Sequence, residues 1–221
     1  FKPIQSLKGK ITSGIGTATL RKSLVIFQFS ISIILLVCTI VMSSQMKFIK
    51  KKDLGYDKSY VFSVPLTPEI TDHIDAVKTE LKKETAIENV GTSDAYSFSN
   101  VDGETGDLNW PAKPSNSNVM ITQLCADNDF IPTLKIKFIE GNNFSGTPAD
   151  SSSYILNETA VKMMHLKPPY VGQQISLHDQ KGTIIGVTKD FNFQSLKQKI
   201  KPLIFFTFWH NRNILYVRTT A

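Results

Sequence analysis

Residues 24–42, LVIFQFSISIILLVCTIVM, decide how the rest of this chain is read. From Leu24 to Met42 there is no charge, no Pro and no Gly. At ~1.5 Å per residue, a helix of this stretch covers about 28 Å, close to the hydrocarbon core of a bilayer. A buried helix of a soluble domain would show a polar face over so long a run. The apolar region of a secretory signal is shorter, roughly 7–15 residues, and Met42-Ser43-Ser44-Gln45 makes a poor cleavage site. The stretch therefore reads as a transmembrane helix over residues 23–44.

The charge distribution agrees. The formal net charge of +6 invites a nucleic-acid reading, but the basic residues are not spread over the chain. Lys2, Lys8, Lys10, Arg21 and Lys22 precede the apolar stretch with no acid among them, and Lys47, Lys50, Lys51 and Lys52 follow it. From Asp53 onward acids outnumber bases. The basic excess flanks the helix, where lipid headgroups attract it, so no nucleic-acid partner is expected. Basic residues on both sides leave orientation by the positive-inside rule undecided. The two cysteines, Cys38 and Cys125, offer no disulfide framework, because one lies in the apolar stretch and the other far along the chain.

Polar residues inside the helix are arranged rather than scattered. At 100° per residue, Gln28, Ser32, Thr39 and Ser43 fall within about 60° of one another. Polar side chains in hydrocarbon favour protein neighbours, and hydrogen bonds between membrane helices contribute ~0.6–2 kcal/mol. The four residues are the candidate helix-packing stripe. The competing reading is a lone anchor whose Ser and Thr bond their own backbone carbonyls, which hides Gln28 less well.

Around the helix, residues 1–22 form a juxtamembrane segment. Phe1, Ile4, Leu7 and Ile11 sit at helical spacing, as in an amphipathic segment on a membrane surface. Ser13-Gly14 and Gly16-Thr17 favour a flexible linker for its second half. Residues 45–55 contain no breaker before Gly55 and are expected to continue the helix as a stalk.

Residues 56–221 read as a mixed α/β domain. A strand over 60–66 precedes a helix capped by Thr67, with Pro68 at its first position, running to about Lys83 with Ile70, Ile74, Val77 and Leu81 on one face. Strands are expected at 87–93, 118–126, 154–156, 173–178, 182–189, 203–209 and 213–219. Short helices are expected at 129–134, at 158–165 behind an Asn157 cap, and as a turn near 193–196 with Asp190 or Asn192 as its cap. Residues 97–117, rich in Gly, Pro, Asn and Ser, read as a loop or hairpin insertion.

Little here suggests catalysis or metal binding. His73, His165, His178 and His210 show no metal-ligand spacing. No nucleophile elbow, phosphate loop or dinucleotide fingerprint is present. Asn157-Glu158-Thr159 matches a glycosylation sequon, but helix capping explains it better. The chain is expected to be no enzyme and to hold no cofactor of its own.

Several segments together resemble one family. Ser6-Leu-Lys-Gly-Lys10 precedes Leu20-Arg-Lys-Ser-Leu-Val-Ile-Phe-Gln-Phe29, and Lys52-Asp-Leu-Gly-Tyr56 ends the stalk. Later come Asp129-Phe130, Glu140-Gly-Asn-Asn-Phe144, Asn157-Glu-Thr-Ala-Val161 and Gly182-Thr-Ile-Ile-Gly-Val-Thr-Lys-Asp-Phe191. In this order they resemble an FtsX-like ABC transporter permease with a MacB-like periplasmic core domain. The resemblance implies a helix leading out of the cytoplasm through the bacterial inner membrane into an extracytoplasmic domain. It further implies that this chain is an internal piece of a larger permease with three more membrane helices. ATP would be bound by a separate ABC ATPase subunit. Other expected partners are membrane helices of the same permease or a dimer mate, a periplasmic adaptor and the lipid bilayer. Two readings from other classes compete: the extracytoplasmic sensor region of a membrane receptor kinase, and a singly anchored binding or scaffold domain.

Overall fold

Helix α1 (Ile15–Lys51) runs for 37 residues without a break. In the computed structural model, residues 15–95, 97, 101, 103–111, 113–114, 117, 119–207 and 212–220 are described. The expected amphipathic segment at 1–11 lies outside them. The chain divides into two units, Phe1–Lys52 and Asp53–Ala221.

In the first unit the juxtamembrane residues from Ile15 to Lys22 are helical rather than a flexible linker, while Ser13 and Gly14 lie outside the described residues. Ala18, Leu20, Arg21 and Lys22 are good helix formers, and one Gly near the first turn is tolerated. Every described side chain from Ala18 to Lys51 is exposed. The helix ends at Lys51, short of Gly55. There the Asp53 carboxylate accepts the Gly55 N–H at 2.9 Å, a local turn that competes with further helix.

The second unit holds two sheets. Strand β1 (Val61–Pro65) leads into helices α2 (Pro68–Thr71) and α3 (Ile74–Leu81), then strand β2 (Ile87–Ser93). The single helix expected over 67–83 is broken at Asp72-His73. The His73 N–H bonds back three residues to Ile70, and α3 restarts with Val77 N–H on His73 C=O. The offset turns Ile74 into the core at 7% exposure and leaves Ile70 at the surface. Thr67 stands at the N-cap of α2 with an extended backbone but makes no side-chain cap bond.

From there the chain enters the larger sheet. It contributes β3 (Glu104–Thr105), β4 (Leu108–Asn109), β5 (Ile121–Cys125), helix α4 (Phe130–Thr133), β6 (Phe138–Gly141), β7 (Ser153–Asn157), helix α5 (Glu158–Met163), β8 (Gln174–Leu177), β9 (Gln180–Thr188) and β10 (Leu203–Phe206). The last strand, β11 (Ile214–Thr219), returns to the first sheet and lies between β1 and β2. The larger lobe is thus inserted between strands of the smaller one.

The insertion at 97–117 is the main surprise. Strands β3 and β4 do not pair with each other. They sit at opposite ends of the order β3-β5-β10-β7-β9-β8-β4, with β6 added beside β9. Only Gly106 and Asp107 separate them, so the sheet must curl until its two edges meet. His178, in the turn after β8, closes the same gap with a 2.7 Å hydrogen bond to Gln123 of β5.

The sequence around α5 folds as its pattern dictates. Asn157 is fully buried, and its side-chain oxygen accepts the Ala160 N–H at 2.9 Å and the Leu203 N–H at 2.9 Å. Its amide donates to Lys201 C=O at 2.9 Å, so the sequon is a helix cap. At the other end His165 adopts φ 54, while Leu166 and His165 N–H groups bond Val161 and Lys162 carbonyls in a Schellman close. No helical turn forms over 193–196. Asp190 instead accepts the Thr159 N–H at 2.9 Å and hydroxyl at 2.8 Å, capping the start of α5 from across the fold.

One apolar core joins the two lobes. Phe130 of α4 stands edge-on to Tyr216 of β11 at 5.2 Å and near Phe205 of β10 at 6.4 Å. Phe191 and Phe193 are buried in the same cluster, each contributing ~1.5–3 kcal/mol. They pack, as their place at a strand end suggests. Gly91 of β2 allows the joint, because a Cβ there would stand 2.6 Å from the Phe130 Cα.

Candidate functional site: a polar helix face and a fixed entry into the domain

The four sequence-predicted residues Gln28, Ser32, Thr39 and Ser43 all lie in the continuous helix α1 and are all exposed. Their spacing keeps them on one face. Their hydrogen bonding divides them. Ser32 Oγ donates to Gln28 C=O at 2.9 Å, and Thr39 Oγ1 donates to Leu35 C=O at 2.8 Å. Ser30, on another face, does the same to Ile26 C=O at 2.8 Å. These hydroxyls satisfy themselves within their own helix, as the lone-anchor reading supposed. Among the described residues neither Gln28 nor Ser43 makes a bond of that kind, and Gln28, with the larger polar group, has most to gain from a neighbouring helix. Among the described residues α1 is the only helix long and apolar enough to cross a membrane.

Immediately after Lys52, the chain is fixed into the domain at successive points. Asn192 N–H donates to Leu54 C=O at 2.7 Å. Gly55, at φ +79, lies against the Asp190–Phe191 backbone, where a Cβ would sit 2.6 Å from Asp190 C=O. Asp57 N–H donates to Leu134 C=O at 2.9 Å. The Asp57 carboxylate accepts Ser59 N–H at 2.8 Å and an Arg218 guanidinium N–H at 3.1 Å. The Ser59 hydrogen bond and the Arg218 charge hold that carboxyl below its ordinary range.

Arg218 itself is 1% exposed. Its Nε donates to Thr133 C=O at 2.6 Å and its guanidinium also reaches the Ser59 and Asp57 carbonyls. The residue therefore ties β11, α4 and the entry segment together. Sequence reading passed it over. The signal was the two-residue period Ile214, Tyr216, Arg218, which puts Arg218 on the inward face of β11.

A second charged cluster sits where α3 meets the linker after β5. Lys78 Nζ lies 2.7 Å from Asp127 and 2.7 Å from Asp129, and Lys82 lies 2.9 Å from Asp129. Asp127 also accepts the Thr92 N–H at 3.0 Å and hydroxyl at 2.7 Å. Burial alone would lower the Lys78 pKa, but the two carboxylates outweigh it and the net shift is upward. Each charge has its partners, which marks a structural brace rather than a reactive centre. Among the described residues no group of His, Cys, Asp or Glu is arranged to hold a metal ion.

No protein-family model matches the chain, and no curated protein matches it. Among solved structures, the chain is similar to the periplasmic region of MacB from Actinobacillus actinomycetemcomitans. Identity there is 12% with a TM-score of 0.49, covering 76% of this chain and 77% of that one. It is also similar to the extracellular domain of the noncanonic ABC-type transporter YknZ from Gram-positive bacteria. Identity there is 15% with a TM-score of 0.45, covering 73% of this chain and 82% of that one. Both of those structures are of domains from outside the cytoplasm.

Proposed function

We propose that this chain is part of the permease subunit of an ABC transporter, of the efflux or mechanotransmission type. In this reading α1 crosses the bacterial inner membrane and couples it to the extracytoplasmic domain. ATP is bound and hydrolysed by a separate ATPase subunit, so the chain needs no active site and no cofactor of its own. Its partners are that ATPase, other membrane helices of the same permease or a dimer mate, a periplasmic adaptor and the surrounding lipid.

The observation that carries the reading is the unbroken helix Ile15–Lys51. At ~1.5 Å per residue its 37 residues measure about 55 Å, nearly twice a ~30 Å hydrocarbon core. Such a helix crosses the core and continues beyond it as one hydrogen-bonded rod. A rod passes axial displacement on, whereas a flexible linker absorbs it. The entry segment after Lys52, pinned at Leu54, Gly55 and Asp57, suits the same purpose. The sequence resemblance supplies the direction, from cytoplasm outward.

Inserting Gly-Gly after Lys47, in the permease expressed with its ATPase, tests this. Two glycines destabilise a helix by roughly 2 kcal/mol and introduce a hinge. The expected result is ATP hydrolysis that persists without the extracytoplasmic output. Hydrolysis and output that stay coupled would contradict the rod.

A further inference from the structure

A cleft of about 590 Å³ opens on the domain beside the entry segment, lined in part by Tyr56, Lys135, Lys137, Lys189 and Asn192. That size lies within the range of ligand pockets, roughly 300–1,000 Å³. Its cations are unusually placed. Strands β6 and β9 are antiparallel with Phe138 opposite Thr188. The next step of that register sets Lys137 opposite Lys189, and the Lys189 N–H donates to Lys137 C=O at 2.8 Å. Directly opposed residues carry their Cβ atoms ~4.5–5.5 Å apart on one face, and like charges in that relation destabilise the pair.

The nearby carboxylates make no direct ion pair with either lysine. Lys135 is paired with Glu88 at 2.9 Å. Among the described residues, neither Lys137 nor Lys189 has a carboxylate within 4.0 Å. Asp53, Asp57 and Asp190 line the same cleft, but each is already held by other donors: Gly55 N–H, Ser59 with Arg218, and Thr159. Glu140, on the same strand as Lys137, accepts the Tyr170 and Val171 N–H groups. Two opposed lysines that line one cleft, neither of them ion-paired within 4.0 Å, are an arrangement that an external anion bridging both would complete.

We propose that this cleft binds a phosphate group, with Lys137 and Lys189 as its two cationic ligands. A phosphate monoester carries about −1.5 to −2 charge at neutral pH, which matches two lysines better than a single carboxylate does. The same monoester chemistry arrives on a phosphatidic acid headgroup or on a soluble phosphate. The inference is independent of the transport reading above.

The test uses the whole 221-residue chain in neutral maltoside micelles. The lysine ¹³Cε NMR signals are followed, with Lys137 and Lys189 assigned through Lys137→Gln and Lys189→Gln. Inorganic phosphate is titrated against chloride at matched ionic strength. Both signals are expected to move together and saturate with phosphate only. Either substitution should weaken binding roughly tenfold, the loss of one charge-assisted hydrogen bond. Both side chains are exposed, so the variants should keep their thermal midpoint or raise it as the repulsion is relieved. A second arm places the chain in nanodiscs of phosphatidylcholine, with or without phosphatidic acid, in phosphate-free buffer. Movement of the two signals only with phosphatidic acid identifies the lipid headgroup as the source, and movement only with free phosphate identifies a soluble ligand. Signals still in both arms, equal movement with chloride, or saturable phosphate binding that survives both substitutions would overturn the site.

Discussion

The guanidinium of Arg218 lies 3.1 Å from the Asp57 carboxylate, joining the last strand of the domain to the segment through which the chain enters it. The two residues are 161 positions apart in sequence. Arg218 is buried while the Asp57 side chain is 41% exposed, so the stabilisation comes mainly from satisfying a buried cation with several oxygens at once.

Replacing Arg218 with Met keeps the length of the side chain but leaves the Thr133, Ser59 and Asp57 carbonyls without their donor. The expected loss is about 3 kcal/mol. Urea denaturation of the chain in micelles measures it, and limited proteolysis should find new cleavage between residues 53 and 60 first. Unchanged stability would mean that the entry segment is held by its backbone bonds alone.

Lys78 makes a comparable prediction in the other charged cluster. Lys78→Met strands Asp127, whose side chain is 3% exposed, without its cation. Losing one member of a buried pair costs about 3–5 kcal/mol. Lys78→Met combined with Asp127→Asn should recover part of that, because Asn can still accept the Thr92 hydrogen bonds. Equilibrium unfolding of both variants provides the comparison, and a double variant no better than the single would refute the pairing as the cause.

Asp94 gives the domain a pH dependence of unusual sign. Burial pushes its carboxyl up to about 6, with the Cys125 N–H pulling it partly back. Since the folded value lies above the ordinary 3.8, the folded state holds the proton more tightly. That contribution is fully present below about pH 4 and is lost as pH rises through about 6. Asp94→Asn should match the natural protein near pH 4 and exceed its stability by about 1–2 kcal/mol near pH 7.5, discounting for partial exposure. Thermal unfolding at the two pH values reads this directly. An equal difference at both would assign the effect to something other than ionisation.

Much of the architecture was legible because period and capping chemistry are local. Strand β2 occupies the residues its pattern indicates, and Asn157 caps α5 as its position before Glu158 suggests. What was hidden depended on distant partners. Residues 97–117, rich in Gly, Pro, Asn and Ser together, look like a loop because their two-residue strands carry no period, and only β5 and β8 make them strands. Asp190 reads as a cap for the residues after it, yet its acceptors are taken by Thr159, 31 positions earlier. Strand β6 was missed because Phe138–Gly141 is short and ends in a turn glycine at φ +76. Lys78 stands one turn beyond the buried Ile74, a position that helical periodicity does mark, but a lysine there is normally solvated. On the membrane helix the stripe was visible from spacing, while the division between self-satisfied Ser32 and Thr39 and the unshared Gln28 needed coordinates.

That division yields a prediction for the helix. Gln28→Leu should weaken association with partner helices by about 1 kcal/mol, the scale of one interhelical hydrogen bond, whereas Ser32→Ala should change it little. Co-purification of the tagged chain with its partner helices from mild detergent measures both. Equal effects of the two substitutions would remove Gln28 from the interface.

If α1 crosses the membrane and delivers the domain to the outside, as proposed, the residues flanking it differ in accessibility. Single cysteines at Lys22→Cys and Lys58→Cys, in a chain with Cys38→Ala and Cys125→Ala, test it most directly in spheroplasts. A membrane-impermeant maleimide should label position 58 in intact spheroplasts and position 22 only after lysis. Labelling of both positions before lysis, of position 22 alone, or recovery of the chain in the soluble fraction would show that α1 does not cross the membrane in this direction.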